Sequence, residues 1–488
     1  TEDRFLEAVR APVDLQRQPS PFRAPHFSEL ARTALDRAPR PAGPAHRIRT
    51  TLDPALQRIA EGALSRQAAW RRARGVTGGA VVILEVETGA VRALVGSPDF
   101  FAEEGQVNGA TAPRSPGSAL KPFAYALAMD RGLCTPETVI GDDPITFRDY
   151  RPDNFDRKFS GDVTVRQALA RSLNIPALKM ARDLGLDEFL SGLHAAGLQT
   201  IDRPAAEYGL SLVLGTVEVT LLDLATAYTS LAKAGRRQPW RIWEEEDPPP
   251  DRPVCSEAAA YLVADILEGG SRLMDVRGHA ADVRAPRVAW KTGTSSGQRD
   301  AWAIAYNPDY VVGVWIGNPN GRGARILTGV SVAAPVAYQV FRALYPDGSG
   351  PWFERPARVV TEIVCTATGR LPGLQCRTLT DDLRIRGSSD PAVCGAHGPK
   401  PAPRPHITSP ADGTRFRLVA GLSGGKQSIP LSAAPGGATP LHWFVDGHHV
   451  GTTRDASPVL WPLQSGSHTI TCADNASRTH SVRIDVLR

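Results

Sequence analysis

Two strand-rich stretches lie far apart in this sequence with a long helical stretch between them, and that order constrains the fold more than any other feature. "GGAVVILEVETGAVRALVGSP" predicts strands over 80–86 and 91–95 around a Thr88-Gly89 turn, and so a hairpin. "RVAWKTGTSSGQRDAWAIAYNPDYVVGVWIGNP" predicts three more, near 287–294, 301–306 and 310–316, with Asn307-Pro308-Asp309 as one turn. About 190 residues of mainly helical period separate the two groups. "TLLDLATAYTSLAKAG" is the clearest helix among them: Thr220 can cap it, Asp223 sits in its first turn and Gly235 can end it. Strands, then helices, then strands predict an α+β domain whose single antiparallel sheet is built from both ends, with the helical insert packed against it.

Near the start of that insert, "RSPGSALKPFAYALAMD" (114–130) places Ser118 just after a Pro-Gly turn, with Lys121 one helical turn on and on the same face. A serine hydroxyl is a weak nucleophile until a base takes its proton, and a lysine serves once burial or a neighbouring cation keeps it neutral. The helix N-terminus favours an anion developing there. The spacing alone proves nothing, since Ser423-Gly424-Gly425-Lys426 repeats it, but in that copy two glycines make a flexible turn. Two further elements single out the first copy. Ser172-Leu173-Asn174, in "ARSLNIPAL", supplies a hydroxyl that can shuttle a proton and an amide that can hold a substrate amide. Lys291-Thr292-Gly293-Thr294, on a predicted strand, supplies a cation and hydroxyls for a carboxylate, and Gly293 would let a substrate backbone add to the strand edge.

At 488 residues, with 42% hydrophobic and 22% charged, the chain has the composition of a globular protein of roughly two to four domains. Its net charge of +5 comes from dispersed arginines. No stripe of basic residues interleaved with aromatics appears, so no nucleic-acid partner is expected. No apolar run approaches the roughly 18 residues needed to span a bilayer. Of the six cysteines, Cys365, Cys376 and Cys394 fall in one loop-rich stretch followed by His397. The gaps match no usual paired zinc-ligand spacing, so a disulfide is the expectation there, with no metal site and no cofactor. Four regions follow: a Pro- and Arg-rich opening (1–47), the main domain (48–350), a Cys-, Pro- and Gly-rich linker (351–405) and a small all-β sandwich module (406–488). In the last, Leu441, Trp443 and Val445, then Val482, Ile484 and Val486, alternate as half-buried strands do.

The S-x-x-K, serine-asparagine and K-T-G elements, in that order, are those of penicillin-binding proteins and β-lactamases. With "RPDNFD" and "LDLATAYTSLAKAG", the chain resembles the transpeptidase portion of class A penicillin-binding proteins, their 1C branch most, over roughly 48–345, and the tail from 406 resembles the β module that closes that branch. The resemblance implies a penicillin-binding/β-lactamase-like transpeptidase fold and a D-Ala-D-Ala transpeptidase that cross-links peptidoglycan stem peptides. It implies Ser118 as acylated nucleophile, Lys121 as its base, Ser172 as proton relay and Asn174 as orienter. Lys291, Thr292 and Thr294 would bind the terminal carboxylate, and the Ser118 and Thr294 amides would form the oxyanion hole. β-Lactams would acylate Ser118. The opening residues resemble the end of a glycosyltransferase domain whose catalytic glutamates have no counterpart here. A membrane anchor is expected before Thr1, with the protein on the periplasmic side of the bacterial inner membrane. The module is expected to bind a protein or a glycan. Two rival readings stand beside this one: a DD-carboxypeptidase or β-lactamase, whose acyl-enzyme water resolves, and a weakly active penicillin-binding sensor or scaffold. For a β-lactamase, "AAEYGLSLVLG" has Glu207 but not the expected loop pattern.

Overall fold

A computed structural model describes residues 23–37, 48–146, 152–268, 286–388, 392–397, 405–418, 427–434, 439–454, 457–475 and 478–487. Ser423, Lys426 and nearly all of the Pro-rich stretch before His406 lie outside them. The predicted sheet forms from both ends of the domain. Strands β1 (Gly78–Glu85), β2 (Val91–Val95), β3 (Ala289–Thr294), β4 (Asp300–Tyr306) and β5 (Tyr310–Gly317) are antiparallel in the order β2-β1-β5-β4-β3. The join between the two groups is β1 on β5, paired from Gly78 with Gly317 to Glu85 with Tyr310.

Six helices matter for the site: α1 (Pro25–Arg37), α2 (Pro54–Ser65), α3 (Lys121–Asp130), α4 (Asn174–Leu184), α5 (Leu221–Ala232) and α6 (Ala334–Leu344). The sheet is buried on both faces, where the sequence predicted helical cover from the insert alone. Val82, Leu84, Trp302 and Ile304 face the insert, in one core with Phe123 and Tyr228. Val81, Ile83, Ala303 and Val314 face the other way, against Leu64 of α2 and Val340 of α6. Near-continuous apolar strands require this, because each successive side chain points to the opposite face. Helix α3 is buried at every residue from Lys121 to Met129, as suits a helix at the centre of a core. In α5, Thr220 Oγ1 accepts from the Asp223 N–H at 3.0 Å, as its sequence predicts. Each of the two fully buried tryptophans of the sheet, Trp302 and Trp315, contributes roughly 4–6 kcal/mol of gross transfer free energy.

Two stretches read as linker carry structure. In the opening region, α1 buries His26, Phe27 and Ala31, and His26 accepts from the Gly96 N–H at 3.3 Å. In the Cys-rich region, β6 (Val359–Cys365) and β7 (Leu379–Ile385) pair from Val359 with Ile385 to Cys365 with Leu379. Val359 and Ile385 join the main core, and the buried Asp382 accepts from the Glu137 N–H at 3.1 Å. All six cysteines are free thiols, so the expected disulfide is not formed. Instead Cys365, Cys376, Cys394 and His397 gather, with one potential ligand atom from each lying within 4.8 Å of the others. The spacing that spoke against zinc does not keep them apart: a hairpin folds the long gaps back on themselves, which a rule based on neighbouring ligand pairs cannot register.

The closing module is the expected β sandwich. Strands His406–Ser409, Ser428–Ala434 and Val459–Pro462 form one sheet, and five strands between Thr414 and Leu487 form the other. Leu441, Trp443, Val445, Val482, Ile484 and Val486 point into their common core.

Candidate active site

Ser118 lies in a short 3-10 turn, Gly117–Leu120, that runs into α3, and the Lys121 N–H donates to the Ser118 carbonyl. Sheet and helix together hold this turn. Gly117 has φ 56°, and a Cβ on it would sit 2.5 Å from the Thr294 carbonyl oxygen. A Cβ on Gly293 would sit 2.0 Å from the Pro116 carbonyl oxygen. The two glycines therefore let the serine turn and β3 approach backbone to backbone. Gly293 makes room for the protein's own turn, a role the sequence reading gave to an added substrate strand. The buried Trp302 donates its indole N–H to the Ser115 carbonyl at 2.7 Å, and the Tyr228 hydroxyl donates to the Ala119 carbonyl at 2.6 Å. The turn is thus suspended between β4 and α5.

Lys121 is fully buried. Its Nζ donates to Asn174 Oδ1 at 2.7 Å and to the carbonyls of Ser172 at 2.7 Å and Leu173 at 3.0 Å. Loss of hydration pushes its pKa down from 10.5 to about 7, with the Asp142 carboxylate pulling weakly the other way. Lys291, also fully buried, donates to Ser172 Oγ at 2.7 Å and to the Thr292 carbonyl at 2.8 Å. Ser172 thus stands between two lysines, one on its carbonyl and one on its hydroxyl. It reaches that position with φ 61°, in the left-handed region that side-chain-bearing residues rarely occupy, a strain of about 1–3 kcal/mol.

The serine-asparagine pair has a support that sequence reasoning missed. Asn174 begins α4; its N–H donates to Asn154 Oδ1 at 2.8 Å and its Nδ2 to the Asp153 carbonyl at 2.7 Å. Asn154 in turn donates to Asp142 Oδ1 at 2.8 Å, and both residues are buried. Asp153 and Asn154 belong to "RPDNFD", whose four polar or charged residues in six were the available signal. Nothing in the sequence pointed to Asp142.

On β3, Thr292 is buried and Thr294 half-buried, with Thr294 Oγ1 accepting from the Gly329 N–H at 3.1 Å. The Ser295 N–H bonds the Asp300 carbonyl at 3.0 Å. Hydrogen-bonded positions alternate along an antiparallel ladder, so the amides of Thr292 and Thr294 face away from β4, toward the outer edge of the sheet. Among the described residues that edge is bridged at Ala289, by Glu268. Glu207 is exposed on the four-residue helix Ala205–Tyr208 and takes no part.

A sheet covered on both faces, with a serine turn at its edge and two buried lysines meeting at a second serine, defines the class: a penicillin-binding/β-lactamase-like transpeptidase fold. The family described as penicillin binding protein transpeptidase domain matches residues 79–342, and the penicillin-binding protein C-terminus family matches 394–484. The chain belongs to the penicillin-binding protein transpeptidase family. It is 34% identical to penicillin-binding protein 1C of Escherichia coli over 80% of this chain and 50% of that protein. To penicillin-binding protein 1A of Neisseria meningitidis it is 33% identical over 58% of this chain and 38% of that one. The chain thus spans half or less of the length of these relatives. Its fold is similar to the crystal structure of penicillin-binding protein 1A from Haemophilus influenzae, at 18% identity and a TM-score of 0.65 over 80% of each chain. It is also similar to PonA1 from Mycobacterium tuberculosis in complex with penicillin V, at 22% identity and a TM-score of 0.56 over 68% of this chain and 95% of that one.

Proposed function

We propose that this chain is a D-Ala-D-Ala transpeptidase acting through an acyl-enzyme on Ser118, at the periplasmic side of the bacterial inner membrane. What carries the reading is the full burial of the Lys121 amine one turn from Ser118, among the Asn174 amide and the Ser172 and Leu173 carbonyls. Protonated, that amine satisfies three acceptors with three N–H groups. Neutral, it keeps two N–H groups and has a lone pair for the Ser118 hydroxyl, and a pKa of about 7 makes the neutral form plentiful.

In the proposed sequence Ser118 Oγ attacks the carbonyl of the penultimate D-alanine and passes its proton to Lys121. The Ser118 and Thr294 amides stabilise the oxyanion. The C–N bond then breaks, Ser172 relays a proton to the leaving D-alanine amine, and Lys291 holds the Ser172 hydroxyl in place. Lys291, Thr292 and Thr294 bind the terminal carboxylate while Asn174 orients the stem-peptide amide. An amine of a second stem peptide takes the acyl group and frees Ser118, with its proton restored; a β-lactam acylates Ser118 and is not released by that route. The test is a stem-peptide mimic ending in D-Ala-D-Ala, given with an amine acceptor. Release of D-alanine with a cross-linked product supports the reading, and release with only the hydrolysed peptide makes the chain a carboxypeptidase.

The pH dependence follows from the base. Below about 7 Lys121 is protonated and has no lone pair, so the rate of penicillin acylation should fall about tenfold per pH unit on the acid side and level off above about 7. A flat stopped-flow profile between about pH 5 and 9 would remove Lys121 from the role.

We also propose that the closing module binds a protein or glycan and contributes no catalytic group. Its separate core supports this. Truncation after residue 400 should leave the acylation rate at the parent value and abolish co-purification of a partner or retention on isolated cell wall. Loss of acylation in a folded truncated protein would make the module part of the active site.

A further inference from the structure

The cysteines and histidine that converge beside the β6–β7 hairpin have no part in acyl transfer, and their surroundings are those of a built metal site. Cys365 closes β6, Cys376 lies on the return toward β7, and Cys394 and His397 come from the segment that leads to the closing module. The backbone fixes each in turn. The Cys365 N–H donates to the Arg370 carbonyl at 2.8 Å, and the Gly369 N–H donates to the Cys365 carbonyl at 2.8 Å. The Cys376 N–H donates to the Gly373 carbonyl at 3.0 Å, while the Gly373 N–H donates to Cys376 Sγ at 3.2 Å, a bond that suits a sulfur carrying negative charge. The Cys394 N–H donates to the Leu371 carbonyl at 2.7 Å, and a Cβ on Gly373 would lie 2.7 Å from the Cys394 carbonyl oxygen. Cys365 and Cys394 are buried, Cys376 and His397 half-buried, and Cys365 Sγ lies 2.9 Å from His397 Nε2.

We propose that Cys365, Cys376, Cys394 and His397 bind one Zn2+ in tetrahedral coordination, as a structural staple. A Cys3His set is a closed structural zinc set, whose ligand atoms stand about 3.5–3.8 Å apart around the ion. The four atoms here already lie within 4.8 Å of one another. Soft sulfur donors select zinc over calcium or magnesium, which take oxygen. A disulfide would use two of three sulfurs and leave the third, with the imidazole, unexplained. Binding displaces one proton from each of the three thiols and leaves a site of net charge −1. No coordination position stays open for substrate, so the ion's work is mechanical.

The ion would join two parts of the chain. Gly369, in the turn after Cys365, has φ 68°, and a Cβ there would meet the Glu137 carbonyl oxygen at 2.1 Å, so this turn is pressed on the transpeptidase backbone. His397 is the last described residue before the stretch that enters the module. Zinc therefore ties the module's leading segment to a hairpin already docked on the catalytic domain.

Elemental analysis of the full chain, purified without chelator, should find one zinc per chain. Replacement by Co2+ should give thiolate-to-metal charge-transfer absorption and the d–d bands of tetrahedral cobalt. The double substitution Cys376→Ser with His397→Ala, at the two half-buried ligands, should lose the metal and the cobalt spectrum while penicillin still labels the protein, which shows that it is folded. In the wild-type chain, a thiol reagent should react with three more cysteines after chelation than before. The inference is overturned if the zinc-reconstituted wild-type chain holds no metal, if the double variant keeps it, or if chelation leaves thiol reactivity unchanged. A zinc-reconstituted wild-type chain that penicillin labels but that holds no zinc would refute the staple and leave the transpeptidase reading standing.

Discussion

Ser118→Ala should abolish covalent labelling by a fluorescent penicillin, a fall on the order of 10⁴-fold or more, with circular dichroism and thermal unfolding close to the parent. Neither neighbouring serine among the described residues is placed to substitute. Ser172 Oγ is held by Lys291, and Ser115 Oγ donates to the Gly215 carbonyl at 2.6 Å on the far side of the Pro-Gly turn. Ser118 alone among these stands at the start of α3, one turn from the buried amine. The measurement is gel fluorescence with mass spectrometry of the labelled peptide. Undiminished labelling of the variant would move the nucleophile elsewhere and with it the whole assignment.

Lys121→Met should slow acylation by about 10²–10⁴-fold, since it removes the base and keeps the volume. Its residual rate should also lose the rise through about pH 7 that the parent shows, a signature that mere loosening of the site would not produce. The folded state loses three hydrogen bonds and leaves Asn174 Oδ1 and two carbonyls unpaired, at about 1–3 kcal/mol for each group that stays buried without water. Removal of a poorly solvated amine offsets part of that, so the variant should fold with a lowered Tm. Parent-like acylation in a folded Lys121→Met protein would show that another group takes the Ser118 proton.

Legibility in the sequence followed the range of the interactions. Serine, lysine and helix start lie within one turn, so the local pattern at 114–130 was readable, and so were the five strands, whose apolar runs sit between turn residues. The hairpin at 359–385 lacks clean alternation, and its Cys, Pro and Gly content pointed to a loop; docking on Glu137 and the core decided otherwise. The support behind Asn174 was out of reach for a different reason. Asp142, Asn154 and Asn174 lie on three separate segments, and none has a periodic or spaced partner to mark it.

The sequence by itself determined the chemistry available: a serine before a helix, two rare lysines, a serine-asparagine pair and a strand bearing Lys291 to Thr294, in an order that one antiparallel sheet could serve. It also determined the module's strands, through their alternation. Only the tertiary structure decided that Lys121 is dry enough to be neutral near pH 7, because desolvation depends on what the whole core places around the amine. It alone set Gly117 against the Thr294 backbone and Gly293 against the Pro116 carbonyl, and turned three scattered cysteines and a histidine into one cluster. Burial and convergence are sums over residues distant in the chain, and such sums have no spacing to read.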